Sequence, residues 1–395
     1  MILSHRIALD PTEKQREYFV KAAGCARFVW NWALEAWNTE YAAGDRPSGF
    51  SLQKKFNALK YQQYPWMKEI YSGAHARPFI NLQKAWNGFF KKISQRPKFH
   101  KKGRKDSFYV ANDQFKLNNK TVRLPHIGWI RMRESLRFDG KIMNATVLRK
   151  AQHWFISIKV DVGEDYKRKR IIDGICGIDL GIKAAATVVG TSGVENFISP
   201  KPLAASLKKL RRLSRSHSRR KQGGSNRRKI TNRIARLHVR ISNIRKDFWD
   251  KITTKLCREN QAIGLETLNV SGMLKNHKLA RAIGDVGFYE PRWQLEYKSK
   301  LYEAKLIEAS QWFPSSKTCS NCGCVRESLM LAERVFHCDQ CGHTQGRDEN
   351  AATNLMKLAE SKYPRLEGNL RLGRGRALSS LVEPGTKPCA ETRTN

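Results

Sequence analysis

Acidic residues are scarce in this chain. Its 395 residues include 35 Asp and Glu against 74 Lys and Arg, which gives a formal net charge of +39 at pH 7. So large an excess of one sign repels itself, and a polyanionic partner is expected to neutralise it. A merely basic protein of the ribosomal type would share this imbalance. The composition therefore predicts nucleic-acid binding and leaves its purpose to the motifs.

Long apolar runs are missing as well. No stretch approaches the ~18 consecutive apolar residues of a membrane-spanning helix, and the N-terminal residues lack the apolar region of a secretory signal. We therefore expect a cytoplasmic protein without a membrane partner. Nine cysteines, four of them in metal-binding spacing, fit a reducing compartment better than a disulfide framework.

Two cysteine pairs form the first clear motif. Cys319-x-x-Cys322 and Cys338-x-x-Cys341 are fifteen residues apart, which is typical of a zinc ribbon. Four thiolates close a tetrahedral Zn²⁺ site and leave no open position, so its role should be structural or DNA-contacting. Cys324 could compete with Cys322, although the spacing favours Cys322. Other cysteines and nearby histidines are not expected to be ligands: Cys25, Cys176, Cys257, Cys389, His337 and His343.

Three acidic residues stand at the ends of predicted elements. Asp179 ends the apolar segment Gly-Ile-Cys-Gly-Ile-Asp, Glu266 ends Ala-Ile-Gly-Leu-Glu, and Asp348 precedes an alanine-rich helix over 350–358. Any one of them alone is usually a solvated turn or cap. On strand, strand and helix in this order, they match a ribonuclease-H-like pattern. Such carboxylates hold two divalent ions ~4 Å apart for phosphodiester hydrolysis. The sequence thus predicts a nuclease using two Mg²⁺ or Mn²⁺ ions.

A basic helical hairpin is predicted over 203–260. Between Ser206 and Lys246 there are sixteen Lys and Arg and no acidic residue, with a break at Gly223-Gly224. Apolar residues from Ile230 to Leu256, including Phe248, recur every three or four positions, which indicates one packed face. A solvated charged helix usually mixes signs, so we expect phosphate contacts here. The candidates are Arg211, Arg212, Arg219, Arg220, Arg227, Arg228, Arg233, Arg236 and Arg240.

The N-terminal part is predicted to contain a strand followed by helices. A strand is predicted at His5–Leu9, then a helix capped by Thr12 and Gln15 at capping-box spacing. A second helix is predicted from Pro78 to Ile93. Its aromatic residues are expected mainly in the core: Trp86, Phe89 and Phe90.

From 107 to 162 the pattern is that of β-strands, as in Thr121–Leu124 and Trp154–Val160. Asn118-Asn119 marks a plausible hairpin turn. The fold expected is α+β and multidomain. An N-terminal β-barrel carries an inserted helical domain, and a ribonuclease-H-like α/β domain with an inserted zinc ribbon and a disordered tail follows.

Longer strings of residues resemble those of the TnpB family, RNA-guided nucleases of insertion sequences that are related to type V CRISPR effectors. The strings are Gly177–Lys183, Leu268–Met273 with Asn276–Ala280, Phe313–Gly323, and Arg347–Ala352. The resemblance covers nearly all of residues 1–360.

This resemblance implies a RuvC-type DNA endonuclease of a transposable element, in a prokaryotic cell and at the nucleoid. It would bind a guide RNA and double-stranded target DNA, and read a short motif beside the target. Base pairing would supply sequence specificity. The metal ligands would be Asp179, Glu266 and Asp348. Whether the protein is a monomer or a dimer stays open.

The implied domains are a barrel (wedge) domain at 1–10 and 104–165 and a helical recognition domain at 11–103. They continue with a RuvC-like domain at 166–315 and 345–362, a zinc ribbon at 316–344 and a disordered tail at 363–395. Two residues depart from the family pattern: Thr267 and Gly346 stand where Asp is usual. They are expected to affect the rate or metal preference rather than the site's identity.

Two other functions fit parts of the pattern. A nuclease-inactive RNA-guided repressor would have lost one or more of the three acids, and all three are present. A transposase that acts directly on element ends could use the same acidic fold without RNA. Guide binding better explains so basic a chain.

Overall fold

The computed structural model describes residues 1–104, 106–330 and 332–363. Apart from Tyr363, the predicted tail at 363–395, Cys389 included, lies outside the described residues. The chain divides into two compact units, Met1–Tyr166 and one that begins at Lys167. The protein is thus a mixed α/β chain of more than one domain.

The first unit combines a sheet with three long helices. Its elements are β1 (Ile2–Asp10), α1 (Glu13–Ala42), α2 (Gly49–Gln63), α3 (Ser72–Phe90), β2 (Ser107–Ala111), β3 (Lys116–Asn118), β4 (Thr121–Leu124), β5 (Gly128–Met132), β6 (Lys141–Lys150) and β7 (His153–Asp161). Short 3₁₀ turns occupy Pro65–Glu69 and Asn112–Gln114.

The sheet of this unit is open. Its seven strands run in the order β2-β6-β7-β1-β5-β4-β3, and no pairing of β2 with β3 closes it among the described residues. Strand β1 pairs with β7 from Ile2 to Ala8 but with β5 only at Leu9 and Asp10. In the part of the chain that the structure describes, the three antiparallel strands β3, β4 and β5 are therefore joined to the rest of the sheet only through the C-terminal end of β1. A closed barrel, as predicted, is not confirmed.

Local predictions in this unit are largely confirmed. Thr12 and Gln15 form the capping box of α1, and Asn119, at φ 47°, turns the chain between β3 and β4. The prediction for α3 was wrong at its start, because Pro78 lies inside the helix rather than at its beginning. The turn before Pro78 buries Ala74 and His75, and this burial offsets the hydrogen bond that proline cannot make.

Helix α2 was not predicted. Of the predicted core aromatics in α3, Trp86 is buried and Phe89 is half-buried against the core, whereas Phe90 is 51% exposed.

The second unit contains a five-stranded sheet, a helical hairpin and a two-stranded ribbon. Its elements are β8 (Gly174–Asp179), β9 (Ala186–Gly190), β10 (Gly193–Phe197), α4 (Pro202–Ser218), α5 (Ser225–Glu259), β11 (Asn260–Leu265), α6 (Val270–Met273), α7 (Ala280–Val286), α8 (Tyr289–Tyr302), β12 (Lys305–Glu308), β13 (Val335–His337), β14 (Thr344–Gly346) and α9 (Arg347–Lys362).

The main sheet has the order β10-β9-β8-β11-β12. Strands β8, β9 and β10 are antiparallel neighbours, whereas β11 is parallel to both β8 and β12. The carboxyl ends of β8 and β11 therefore lie at the same edge of the sheet.

Helices α4 and α5 form the predicted hairpin. Leu210 of α4 packs against Leu237 and Ile241 of α5. In the middle of α5 the buried aromatic residue is Trp249, not the predicted Phe248, which is only half-buried. Helix α8 covers this part of α5, and it shifts the packed face by one residue.

No helix in the described ranges is long and apolar enough to cross a membrane.

Candidate functional site

Two of the three predicted acids lie at the same sheet edge. Asp179 is the last residue of β8, and Glu266 directly follows β11. Ile178 pairs with Leu265 in register, so the two acids are the next residues along neighbouring parallel strands. The backbone N–H of Leu180 donates to Glu266 Oε1 at 2.8 Å, which fixes the Glu266 carboxylate beside the end of β8.

The third acid comes from α9. Asp348 lies in the first turn of this helix, one turn earlier than the predicted helix start. Helix α9 packs across β8, β9 and β11, and its buried residues include Ala351, Ala352 and Leu355. The structure thus brings the strand, strand and helix residues together at one edge.

The pKa values of these acids reflect their burial and their mutual repulsion. Burial raises the pKa of Asp179 well above its ordinary value, and the negative charges of Glu266 and Asp348 raise it further. Burial likewise raises the pKa of Glu266 to about 7, with a smaller contribution from Asp348, although the hydrogen bond from Leu180 opposes it. Carboxyl groups that destabilise each other's charge are suited to a cation between them.

The three carboxylates could hold divalent cations. Hard ions such as Mg²⁺ prefer carboxylate oxygens, and all three residues offer them. The spacing is looser than in a single-ion site, since among the described residues only a cysteine cluster has ligand atoms all within 4.8 Å of one another. A two-ion site spans more than that, with ions roughly 4 Å apart.

Thr267, one of the two departures from the family pattern, has a structural contact. Its hydroxyl donates to the carbonyl of Ala309 at 2.8 Å and ties the end of β11 to the end of β12.

The cysteine cluster is formed by Cys319, Cys322, Cys338 and Cys341. Sγ of Cys319 lies 3.7 Å from that of Cys341, and Sγ of Cys322 lies 3.5 Å from that of Cys338. The cluster is the set that the spacing predicts, without Cys324, and it suggests a zinc-binding site.

Each cysteine pair forms the same tight turn. Gly323 N donates to Cys319 O at 3.0 Å, and Gly342 N donates to Cys338 O at 2.9 Å. Both glycines have positive φ, 79° and 69°, which a residue with a Cβ rarely adopts. The two turns present their thiols to one point.

Two asparagines that the sequence did not single out connect this cluster to α9. Asn350 accepts from Ser320 N at 2.9 Å and donates to Thr318 O at 2.7 Å. Asn354, one turn later, donates to Ser315 O at 2.8 Å and to Thr318 O at 2.7 Å. Both asparagines are buried. We call these four hydrogen bonds of Asn350 and Asn354 the asparagine latch. Asparagine favours caps and turns over helix interiors, so two asparagines four residues apart in an alanine-rich helix could have predicted such a contact from the sequence.

The predicted phosphate-contacting arginines lie on the hairpin. Eight of the nine are exposed, and Arg227 is half-buried because it donates to the carbonyl of Arg220 at 2.9 Å. Arg212, Arg219 and Arg220 line an open depression on α4. The predicted set is therefore on the surface, as phosphate contact requires.

A buried acid holds the start of this hairpin. The carboxylate of Asp285 accepts from Leu203 N and Ala204 N, both at 2.8 Å, and so caps α4. The cap comes from α7, eighty residues further along the chain, and sequence reasoning did not find it.

Three family models match different parts of the chain. A family model described as "Probable transposase", of the IS605 OrfB type, matches residues 157–277. A helix-turn-helix domain model of the same family matches residues 1–46, and a Cas12f1-like TNB domain model matches residues 288–355.

Relatives match along most of the chain. A protein of Streptomyces pristinaespiralis named "Putative RNA-guided DNA endonuclease" is 34% identical over 357 residues, covering 88% of this chain and 86% of the relative. InsQ of Escherichia coli K12, which has the same description, is 30% identical over 369 residues and is covered to 90%. The Cas12f1 chain of a complex with sgRNA and target DNA shares the fold, with a TM-score of 0.56. That match is 16% identical and covers 87% of this chain and 83% of the other. The chain therefore belongs to the IS605 OrfB family of TnpB-like proteins.

Proposed function

We propose that this protein is a transposon-associated, RNA-guided DNA endonuclease. The observation that carries the proposal is the convergence of Asp179, Glu266 and Asp348 at one edge of a mixed sheet. Relatives that cover most of the chain have names that state this activity. The strand order supports the ribonuclease-H-like, RuvC-type assignment of the nuclease domain, 166–315 and 345–362.

The three carboxylates would hold two Mg²⁺ or Mn²⁺ ions. Bound there, such ions supply Lewis-acid stabilisation of the attacking and leaving oxygens of a phosphodiester. The chain's own task is to orient the ligands. Leu180 N–H holds the Glu266 carboxylate, strand β8 holds Asp179, and α9 presents Asp348 from its first turn. The three side chains are half-buried, which limits how far bulk water screens their charges.

The zinc ribbon over 316–344 would act as a structural element. Four thiolates leave no open position on zinc for catalysis. A backbone hydrogen bond from His343 lowers the pKa of Cys341 to about 6, whereas burial raises the pKa of Cys322 to about 12. A bound cation would therefore be needed to keep all four thiols deprotonated. The asparagine latch connects the ribbon to the helix that carries Asp348.

Guide RNA and target DNA would bind through the basic surfaces. The arginines of α4 and α5 are placed to contact phosphates, and their contribution should fall with rising salt. The first unit would supply the wedge (1–10 and 104–165) and recognition (11–103) domains, which contact RNA and the target-adjacent motif. Pairing then reads the sequence, while the protein contacts shape and backbone.

The test uses the protein purified with its bound nucleic acid. Any copurified RNA is sequenced, and the complex is incubated with matching and non-matching DNA in Mg²⁺. We expect a defined RNA and cleavage of matching DNA only, abolished by Asp179→Ala and retained in the exposed control Asp173→Ala.

Other results would reject the proposal. Guided binding without cleavage by the wild type would indicate the repressor. Joining of element ends without RNA would indicate the transposase. Cleavage by Asp179→Ala would refute the assigned site.

A further inference from the structure

Helix α8 has one buried face and one face turned to a cavity. Its buried residues are Pro291, Gln294, Leu295, Lys298, Ser299, Leu301 and Tyr302. The ammonium group of Lys298 donates to Asp250 Oδ1 and Thr253 Oγ1 of α5, both at 2.8 Å. This polar anchor fixes how α8 is rotated about its axis.

The other face of α8 lies beside the carboxylate site. Tyr289, Arg292, Trp293 and Glu296 recur at helical spacing and line a cavity of about 280 Å³. Glu266 lines the same cavity. Its remaining lining is apolar: Leu180, Leu265, Leu268, Val270 and Phe288. A side chain of the proposed nuclease centre and two aromatic rings therefore share one space.

Both aromatic rings are accessible. Tyr289 is 69% exposed and Trp293 41% exposed. Trp293 is held in place, because its ring centroid lies 5.1 Å from that of Tyr297 and Lys246 Nζ lies 5.1 Å from the Trp293 centroid. A fixed, exposed aromatic group next to a cation is how proteins without sequence preference hold single-stranded bases.

The chemistry of the cavity selects its occupant. Glu266 and Glu296 would repel a phosphate placed inside it, and the cation that lines it, Arg292, is paired with Glu308 at 2.7 Å. The apolar floor suits the flat face of a base. Lys246, whose Nζ lies 5.1 Å from the Trp293 centroid, is the cation expected to meet the phosphate attached to such a base. Stacking tolerates every base, because each base has an aromatic face. An enzyme that finds its target by RNA pairing must accept any base at the cleavage position.

We propose that Tyr289 and Trp293 form a stacking subsite for one unpaired nucleobase of the DNA strand being cut, next to the scissile phosphodiester. The subsite rests on the proposed nuclease function and adds the two residues that position its substrate. Stacking there holds the strand so that the adjoining phosphate reaches Asp179, Glu266 and Asp348.

The first experiment replaces single nucleotides of the cleaved strand by abasic sites, one position at a time, in target DNA matched to the copurified RNA. We expect the wild-type rate to fall about 5- to 150-fold at one position near the cut, which corresponds to the loss of one stacked base. Trp293→Ala should be slowed to a similar degree on intact DNA and lose this positional dependence. Trp293→Phe, which keeps an aromatic face, should recover most of the rate.

The matched control is Trp312→Ala, because Trp312 is 85% exposed and does not line the cavity. It should behave as the wild type on every substrate. A merely structural role for Trp293 would lower the rate by the same factor relative to the wild type on intact and on abasic DNA. The positional dependence would then remain in the variant, and that result would overturn the subsite.

The second experiment places 2-aminopurine at the sensitive position and measures fluorescence with Asp179→Ala, so that no cleavage is needed. Stacking should quench the probe, and adding Tyr289→Ala and Trp293→Ala should relieve the quenching. Asp179-dependent cleavage with no probe effect would refute the subsite and keep the nuclease. Quenching without any wild-type cleavage would keep the subsite and refute the nuclease. Absence of a defined RNA would reject both.

Discussion

Gly177 and Gly264 are paired in register on the neighbouring parallel strands β8 and β11. Helix α9 lies against both of them. A Cβ at Gly177 would stand 2.1 Å from Ala352 O, and one at Gly264 would stand 2.1 Å from Leu355 O. Each glycine precedes an acid of the site by two residues, so one close contact sets the position of all three carboxylates.

We expect Gly177→Ala to displace α9 and abolish cleavage. The clash is with backbone, which cannot move as a side chain would, so destabilisation should reach or exceed about 1–3 kcal/mol, the usual cost of overpacking. Thermal unfolding and cleavage of matched DNA measure the two effects. The control is Gly284→Ala in α7, where no atom lies within 4 Å of an added Cβ. Normal cleavage by Gly177→Ala would show that α9 does not depend on this contact.

Loss of a cysteine should unfold the ribbon. Cys338→Ser removes one thiolate, and we expect the zinc content to fall from one ion per chain to well below it. Metal analysis of the purified protein gives the result directly. An unchanged zinc content would show that Cys338 is not a zinc ligand. The control is Cys257→Ser, which lies outside the cluster and should bind zinc as the wild type does.

Asn350→Ala weakens the connection between the ribbon and α9, the helix that carries Asp348, without removing a zinc ligand. The variant leaves the buried Ser320 N–H and Thr318 C=O without this partner, at a cost of about 1–3 kcal/mol. We expect zinc to stay bound and cleavage to fall. Ser361→Ala, on the exposed end of α9, should do neither. Full activity in Asn350→Ala would show that the position of Asp348 does not depend on the hydrogen bonds of Asn350.

Asp285→Ala should loosen the start of the basic hairpin. A lost helix cap costs about 0.5–2 kcal/mol, and here two backbone donors, Leu203 N and Ala204 N, lose their acceptor. Hydrogen exchange should speed up at these amides and leave the middle of α5 unchanged. Asp285→Asn, which retains one carbonyl oxygen, should show a smaller effect. Equal exchange in all three proteins would contradict the capping role.

The first unit should lose stability in acid through His75. Burial, with a smaller contribution from Lys60, lowers the pKa of His75 to about 4, and its Nε2 has no partner among the described residues. Between pH 6.5 and 4 the unfolded chain binds a proton at this histidine and the folded chain does not. The free energy of unfolding is therefore highest above about pH 6.5 and falls as the pH decreases towards 4. The difference is on the order of 3 kcal/mol. His75→Phe should flatten the decline in unfolding free energy over this range, and an unchanged slope would assign the decline to other groups.

The sequence predicted the parts of the site that depend on local pattern. Asp179 and Glu266 end apolar strands, and the Cys-x-x-Cys spacing is itself the geometry of a metal turn, so both were readable from neighbouring residues. The acids' convergence was inferred from their order on strand, strand and helix.

What the sequence did not reveal depends on contacts between distant residues. Asp285 is a helix cap for Leu203 and Ala204, and no local spacing links α7 to α4. The shift from Phe248 to Trp249 in the core of α5 arises because α8 packs there. Pro78 resembled a helix start, yet burial of the preceding turn outweighed its local preference.

The order of the three acids along the chain has a consequence for synthesis. A ribosome produces Asp179 and Glu266 first, on strands that can pair as soon as they emerge. Asp348 follows only after all four cysteines, on the helix that the ribbon clasps through Asn350 and Asn354. An unfinished chain therefore holds a sheet with only two of the three acids, and we expect it not to cleave DNA.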